Sequence, residues 1–444
     1  MSVESSAKQR VQRRERAVAE ACRLGLVGER APVAAFVDLR GIEESVSDLR
    51  AAFAGFGSVQ HTAAVKAGPL VPVLRLLDSL GVGAEVASPG ELAVTRAAGI
   101  PAERTVFDSP AKTTAELREA LEAGIALNAD NEQELARLDG LVGPNPPTIG
   151  VRINPQIGGG GIGSTSTATD RSKFGIGLGD PGARERLVEL VARRPWLTRL
   201  HVHVGSQGCP LELLVQGVRA VVELAEEIEQ RVGQQRITSL DLGGGLPVNF
   251  GGEPVSPTHG EYARMLARDV PGLDRYALVT EFGRSLLAKN GFFASTVEYA
   301  KVTGGRPIAV AHAGAQVAAR TALQPGDWPL RLGAFDRRGR PKGGAEVAQD
   351  VAGPACFAGD LLAENRQLPE LEQGDVVVAY DTGAYYFTAH YGYNSLLRPA
   401  VHGFSVSGES GDEVEFATLR EPQTVDELVR ESGGDRVDAL LGLR

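Results

Sequence analysis

Only three cysteines, two methionines, two tryptophans and seven lysines occur among the 444 residues. Cys22, Cys209 and Cys356 are too few and too scattered for a disulfide framework or a structural zinc site, so no metal is expected. No stretch offers the roughly 18 uninterrupted apolar residues of a membrane span. The segment Met1 to Arg30 is polar and mixed in charge rather than signal-like, so a cytoplasmic protein without a membrane partner is expected. Positive charge is in deficit: the net charge is −10 and the arginines are dispersed among more numerous acids. That balance argues against a nucleic-acid footprint, which needs clustered cations. The lysine deficit stands beside 39 arginines. Its plainest explanation is GC-rich coding, and it leaves few amines for any chemistry that requires one.

What is present is a globular composition, 43% hydrophobic and 23% charged, with a length suited to about two or three domains. Between residues 30 and 285, short apolar runs alternate with amphipathic stretches, the pattern of a parallel sheet with intervening helices. Strand ends are expected at Ala63–Lys66, Ala84–Ser88, Thr105–Asp108, Ile125–Asn128, Ile149–Asn154, Leu200–Val204, Leu240–Leu242 and Ala277–Glu281. Eight strands over this span fit a (β/α)8 barrel better than an open sheet. After about residue 286 the texture turns to β-branched runs broken by Gly, Pro and Asp. The expected organisation is an α/β chain: an extension over 1–30, a barrel over 31–285 and a mainly β domain over 286–444. The run Val33–Val37 fits either domain, and the Gly-, Ser- and Thr-rich residues 156–170 predict a mobile loop.

Active sites of such barrels lie where the strands end. Lys66, Glu85, Asn128, Arg152, His203, Asp241 and Glu281 close the expected strands, and so many charged ends are explained if they meet. Lys66 stands among small apolar residues, a setting that favours a neutral amine able to condense with a carbonyl; its bland alternative is a strand-end lysine reaching solvent. Gly243, Gly244 and Gly245 form a turn whose amides can hold a phosphate, although tight turns also need glycine. Ser206, after His203-Val204-Gly205, offers a second such niche. Glu281 and Arg284 either pair with each other or serve a ring nitrogen and an anion.

Taken together and in order, the lysine after a barrel strand, HVGSQ, DLGGG, E-x-G-R, GPACFAGD and DTGAYYFTAHYGYN resemble the pyridoxal-phosphate decarboxylases of the alanine-racemase fold, such as diaminopimelate and ornithine decarboxylase. The resemblance runs from about Ala31 to Phe404. It implies pyridoxal 5'-phosphate as cofactor and a homodimer with shared sites. By its terms Lys66 carries the cofactor, His203 stacks on its ring, Glu281 meets the ring nitrogen, and Ser206, Gly243 to Gly245 and Arg284 hold the phosphate. Glu85 and Arg152 complete the barrel's cofactor contacts. Tyr385 reaches the phosphate from the β domain of the other subunit, and Cys356 delivers a proton after CO2 leaves. A carboxylate at the ring nitrogen favours decarboxylation over racemisation, because racemases of this fold place an arginine there.

The likeness departs at the substrate. An acid follows the cysteine in diaminopimelate decarboxylases; here Phe357 does, and the nearest acid is Asp360, either a substrate contact or structural. Arg320 matches an arginine that binds a distal carboxylate, while the tyrosine nearby becomes Gln324. These residues imply decarboxylation of an amino acid or conjugate with an anionic or neutral distal end, in siderophore- or antibiotic-like assembly or lysine-type metabolism. A racemase or epimerase, and a non-catalytic relative of the fold, are the alternatives.

Overall fold

The ambiguous run Val33–Val37 becomes strand β1 (Val33–Asp38), which pairs antiparallel with Gly291–Thr303 and parallel with Ala400–Ser407. It therefore joins the β sheet and not the barrel. The computed structural model describes residues 3–407 and 413–443. Helix α1 (Val3–Leu24) sets Ala17, Val18 and Ala21 against Phe36, Phe292, Phe335 and Phe404, so part of the segment expected to be an extension contributes to the core. The chain divides into a β unit, Met1–Gly41 with Phe250–Pro254 and Ala288–Arg444, and a barrel unit, Ile42–Asn249 with Val255–Leu287. Residues 31–41 thus fall with the β unit, the alternative that the run Val33–Val37 left open. Glu253 explains why five residues leave the barrel segment: its carboxylate accepts from Arg14 at 2.5 Å and from Arg331 at 2.8 Å. Burial opposes its ionisation, but the two arginine hydrogen bonds outweigh that and hold its pKa at about 2.

The barrel strands are β2 (Val59–Ala64), β3 (Gly83–Val86), β4 (Thr105–Asp108), β5 (Ala126–Ala129), β6 (Ile149–Asn154), the two-residue β7 (Ile176–Gly177), β8 (Leu197–Val202), β9 (Ser239–Asp241) and β10 (Ala277–Phe282). All pair in parallel; β7 hangs on β6, and the other eight close into a ring through the β5–β6 and β10–β2 pairings. The strands are short and almost wholly buried, since helices cover one face and interior side chains fill the other. Local chemistry sets the helix starts. Ser88 caps the amide of Glu91, and Thr113 and Thr258 form capping boxes with Glu116 and Glu261. The 22-residue helix Leu211–Val232 buries Leu214, Val218, Val221, Val222, Ala225 and Ile228 at three- and four-residue spacing, and ends at Gly233 in the left-handed region.

The β unit continues with β11 (Gly291–Thr303), β12 (Arg306–Ala311), β13 (Leu332–Phe335), β14 (Glu346–Ala352), β15 (Leu361–Pro369), β16 (Val376–Ala379), β17 (Ala400–Ser407) and β18 (Glu413–Arg420). The sheet runs β15-β14-β12-β11-β1-β17-β18, with β16 bridging β11 and β13. No helix among the described residues is long and apolar enough to cross a membrane.

Candidate functional site

Register brings polar side chains to one level of the barrel. Arg152 on β6, His201 on β8 and Asp241 on β9 are cross-strand neighbours. They point into an interior that also holds Glu85, Asp108, Asn128, Arg199 and Glu281, all buried. Charges there are stable only when partnered, and most are. Arg152 Nη1 donates to Asp108 Oδ2 at 3.0 Å, Asn128 Nδ2 to Asp241 Oδ2 at 3.0 Å, and Arg199 Nε to Ser239 Oγ at 3.0 Å. The Arg152 guanidinium also lies 4.3 Å from the centre of the Phe174 ring.

Lys66 sits in a single 3-10 turn just past β2, and its ammonium pairs with Glu85 at the end of β3. The lysine side chain is 44% exposed and the glutamate 1%, so the pair sits at the barrel's mouth with its acid inside. Burial pushes the Glu85 carboxyl up to about 7; the Lys66 charge opposes this and Asp108 adds to it. The buried lysines are already satisfied. Lys112 donates to the carbonyls of Ser109 and Asn128 and pairs with Glu134 at 2.9 Å, and Lys289 bonds Asp381 and the carbonyl of Gly252.

His203 follows β8, where its Nδ1 accepts the amide hydrogen of Gly244 at 3.1 Å. Burial, with the positive charges of Arg152 and Lys66, drives its pKa well below the ordinary value, so the ring is neutral. The amide of Gly243 donates to Asp241 Oδ1 at 3.1 Å. Two of the three glycine amides therefore face inward, and an outward anion falls to Gly245. A Cβ on Gly244 would stand 2.2 Å from the Glu281 carbonyl oxygen, and one on Gly245, whose φ is +95°, 2.1 Å from that of Gly205. Ser206 opens the turn Ser206–Cys209, and Arg284 is buried at the start of the short helix Arg284–Leu287.

Glu281, on β10, is ringed by like charges. Burial raises its pKa well above the ordinary value, and Asp241, Glu85 and Asp108 add to the rise. Its Oε1 is buried without a hydrogen-bond partner. A ring-nitrogen cofactor fits this arrangement: an unmet acceptor or acid at Glu281, a neutral flat face at His203, an amine at Lys66 and a glycine turn for a phosphate.

Three residues of this interior, Asp108, Arg199 and His201, escaped the sequence reading. Asp108 ends β4 just as Glu85 and Arg152 mark theirs, and its carboxyl is held well below the usual range, against its burial, by the charges of Arg152, Lys112 and Lys66 and by His201 whenever that ring is protonated. His201 lies two residues before His203, the spacing that puts both side chains on one face of a strand. Residues of the loop 156–170 hydrogen-bond to the segment after β8, with Thr167 N and Ala168 N on Val204 O, Thr167 Oγ1 on His203 O and Gly161 N on Gly208 O. These hydrogen bonds tie the loop to the chain beside His203.

The β unit gathers the second set. Cys356 is exposed, its amide donating to Asn394 Oδ1 at 2.7 Å, and Phe357 packs edge-on against Tyr393, which stacks on Tyr391. Arg320 projects from the helix Ala315–Leu323, with its guanidinium 4.8 Å from the ring centres of both Trp328 and Tyr385. Its Nη1 is buried without a hydrogen-bond partner. Tyr385 has φ +66°, a strained value for an aromatic residue. The turn before it is anchored by Thr382 N and Gly383 N on the carbonyls of Gly291 and Ala288. Of the two roles the sequence leaves open for Asp360, the geometry supports the structural one: its two carboxylate oxygens accept the amides of Ala315 and Ala355 at 2.6 Å each.

The family described as pyridoxal-dependent decarboxylase, pyridoxal binding domain, matches residues 39–288. Over 375 residues the chain is 33% identical to the diaminopimelate decarboxylase of Pseudomonas aeruginosa, covering 82% of this chain and 84% of that one. A diaminopimelate decarboxylase of Actinosynnema pretiosum is 30% identical over 378 residues, with 82% and 80% covered. Among solved structures, the Helicobacter pylori diaminopimelate decarboxylase complexed with L-lysine superposes with a TM-score of 0.78 at 25% identity, covering 91% of this chain and 97% of that one.

Proposed function

The chain belongs to the pyridoxal-dependent decarboxylases, and on that premise we propose that it removes CO2 from an amino acid or amino-acid conjugate whose distal end is anionic or neutral. That it is a pyridoxal-phosphate-dependent carboxy-lyase follows from its family. The distal-end reading is supported by one observation in the β unit. Asp360 is committed to two backbone amides and Phe357 follows Cys356, while Arg320 keeps a buried Nη1 with no hydrogen-bond partner. A guanidinium 4.8 Å from each of two aromatic rings suits a carboxylate, and a phenyl ring gives a distal ammonium no counter-charge.

When bound, pyridoxal phosphate supplies the electron sink that takes up the electron pair left as CO2 departs. In this reading Lys66 holds the cofactor at its carbonyl carbon, and Gly245, Ser206 and Arg284 hold its phosphate. His203, kept neutral, covers the ring face without competing for the ring proton. Glu281 serves the ring nitrogen. Cys356 Sγ gives a proton to the substrate carbon, and Tyr385 steadies the phosphate. The proposal includes a homodimer that brings Cys356 and Tyr385 to the barrel of the partner subunit, and a role in siderophore- or antibiotic-like assembly.

Release of CO2 from a panel of amino acids tests the substrate. Acidic or acylated substrates are expected to outpace ornithine and meso-diaminopimelate, and Phe357→Glu is expected to shift preference toward substrates with a distal ammonium. Because the curated relatives named above are diaminopimelate decarboxylases, diaminopimelate is the second reading. Its fastest turnover by the unmodified chain would replace the first.

A further inference from the structure

His201 is fully buried between two carboxylates of the barrel interior. Its Nδ1 lies 3.6 Å from Asp108 Oδ1 and its Nε2 lies 3.6 Å from Glu281 Oε2, and neither ring nitrogen has a hydrogen-bond partner. The imidazole thus spans the gap between an acid already paired with Arg152 and an acid surrounded by negative charge. The other charged groups around it are Arg152 on β6, Arg199 on its own strand β8 and Asp241 on β9. An aromatic or aliphatic side chain would fill the same space without bringing two unmet nitrogens into it.

We propose that His201 is a positioning residue that takes up a proton when the cofactor binds, so that the row Asp108–His201–Glu281 fixes the charge at the cofactor's ring nitrogen. The inference rests on the reading that Glu281 serves that nitrogen. Before binding, Glu281 carries the proton, because burial among Asp241, Glu85 and Asp108 disfavours its ionised form. His201 is neutral, because burial outweighs the pull of Asp108 and Asp241. With the cofactor bound, Glu281 would face a protonated ring nitrogen as a carboxylate, its own proton passing to that nitrogen or, where the ring arrives protonated, to solvent. A neutral imidazole that points its N–H at one carboxylate must turn a lone pair toward the other. Only the imidazolium donates to both. His201 therefore draws one proton from solvent onto its second nitrogen, and the balance for the row is one proton lost by Glu281 and one gained by His201.

The test measures the protons taken up as pyridoxal phosphate binds to the cofactor-free full-length chain, by titration calorimetry in buffers of different ionisation enthalpy. The wild-type chain is compared with His201→Asn and with Asp108→Asn, the second keeping the histidine in place. Proton exchange at the phosphate and at Lys66 is common to all three and cancels in the difference. Each variant is expected to take up about one proton fewer than wild type near neutral pH. In each, the visible absorbance of the bound cofactor should titrate at lower pH. Unchanged proton uptake in a variant that still binds the cofactor overturns the inference and leaves the decarboxylase reading intact. Failure of the wild-type chain to bind pyridoxal phosphate overturns that reading, and this inference with it. Stoichiometric divalent metal retained by the cofactor-free chain and lost in His201→Asn would overturn the proton assignment alone.

Discussion

Asp360 offers a direct test of the difference between a carboxylate that builds the site and one that meets the substrate. Its oxygens accept the amides of Ala315 and Ala355 at 2.6 Å. A Cβ on either Gly314 or Gly353 would approach its carboxylate to 2.4 Å, so the group fills a slot cut to its size. Asp360→Ala leaves two buried amides without an acceptor, each loss worth about 1.5–3 kcal/mol for a charged acceptor. Part of that is returned, because burial raises the Asp360 pKa and the carboxylate is held there against its preference for water. The net loss expected is about 3 kcal/mol, which lowers the melting temperature of a domain of this size by roughly 6–12 °C. Asp360→Asn keeps an acceptor for one amide and is expected to fall about midway. Thermal and denaturant unfolding of the three proteins, run beside steady-state KM measurements on the preferred amino acid, give the answer. Wild-type unfolding together with a KM raised about tenfold, equivalent to about 1.4 kcal/mol of binding, would refute the structural assignment.

Lys66→Ala is expected to abolish both the visible absorbance of bound cofactor and CO2 release. Lys112→Ala instead removes an ammonium with three buried partners and is expected to cost about 3 kcal/mol of stability; loss of the absorbance in a normally stable Lys112 variant would reassign the amine. Gly245→Ala places a methyl against Gly205 O at positive φ, a strain of about 1–3 kcal/mol. It should raise the dissociation constant for pyridoxal phosphate about tenfold or more, and equilibrium dialysis showing no change would take the turn out of the phosphate site. Glu85 has a folded pKa raised from 4.5 to about 7. Its contribution to stability is therefore complete below the unfolded value and is lost as pH rises through about 7. Relative to wild type, Glu85→Gln should gain stability across that window in the cofactor-free chain, and parallel pH–stability curves would show that Glu85 does not titrate there.

The barrel was legible because buried parallel strands are short apolar runs, and each expected strand end lies within two residues of the observed one. Lys66, Glu85, Arg152, His203 and Glu281 were legible for the same reason: a charge closing such a run has few other places to go. The partition of the chain was not. It depends on pairs such as Arg14 with Glu253, some 240 residues apart, which leave no local periodicity. The segment 156–170 announced a loop through its glycines, but glycine content carries no record of which carbonyls the loop's amides will meet. Asp360 and Arg320 are equally charged in the sequence. What distinguishes them is the amides of Ala315 and Ala355 around one and the rings of Trp328 and Tyr385 around the other, contacts that no sequence pattern announces.

The placement of β1 bears on synthesis. Its antiparallel neighbour β11 begins at Gly291 and its parallel neighbour β17 at Ala400, so in sequence the barrel segment is inserted between two neighbouring strands of one sheet. At roughly 5–20 residues per second, the ribosome keeps β1 waiting on the order of tens of seconds for its first neighbour. Throughout that interval the apolar faces of α1 and β1 lack their final partners while the barrel segment emerges and can fold. Chaperone demand should therefore fall on the first forty residues, and a nascent chain arrested after the barrel is the form in which their exposure can be probed.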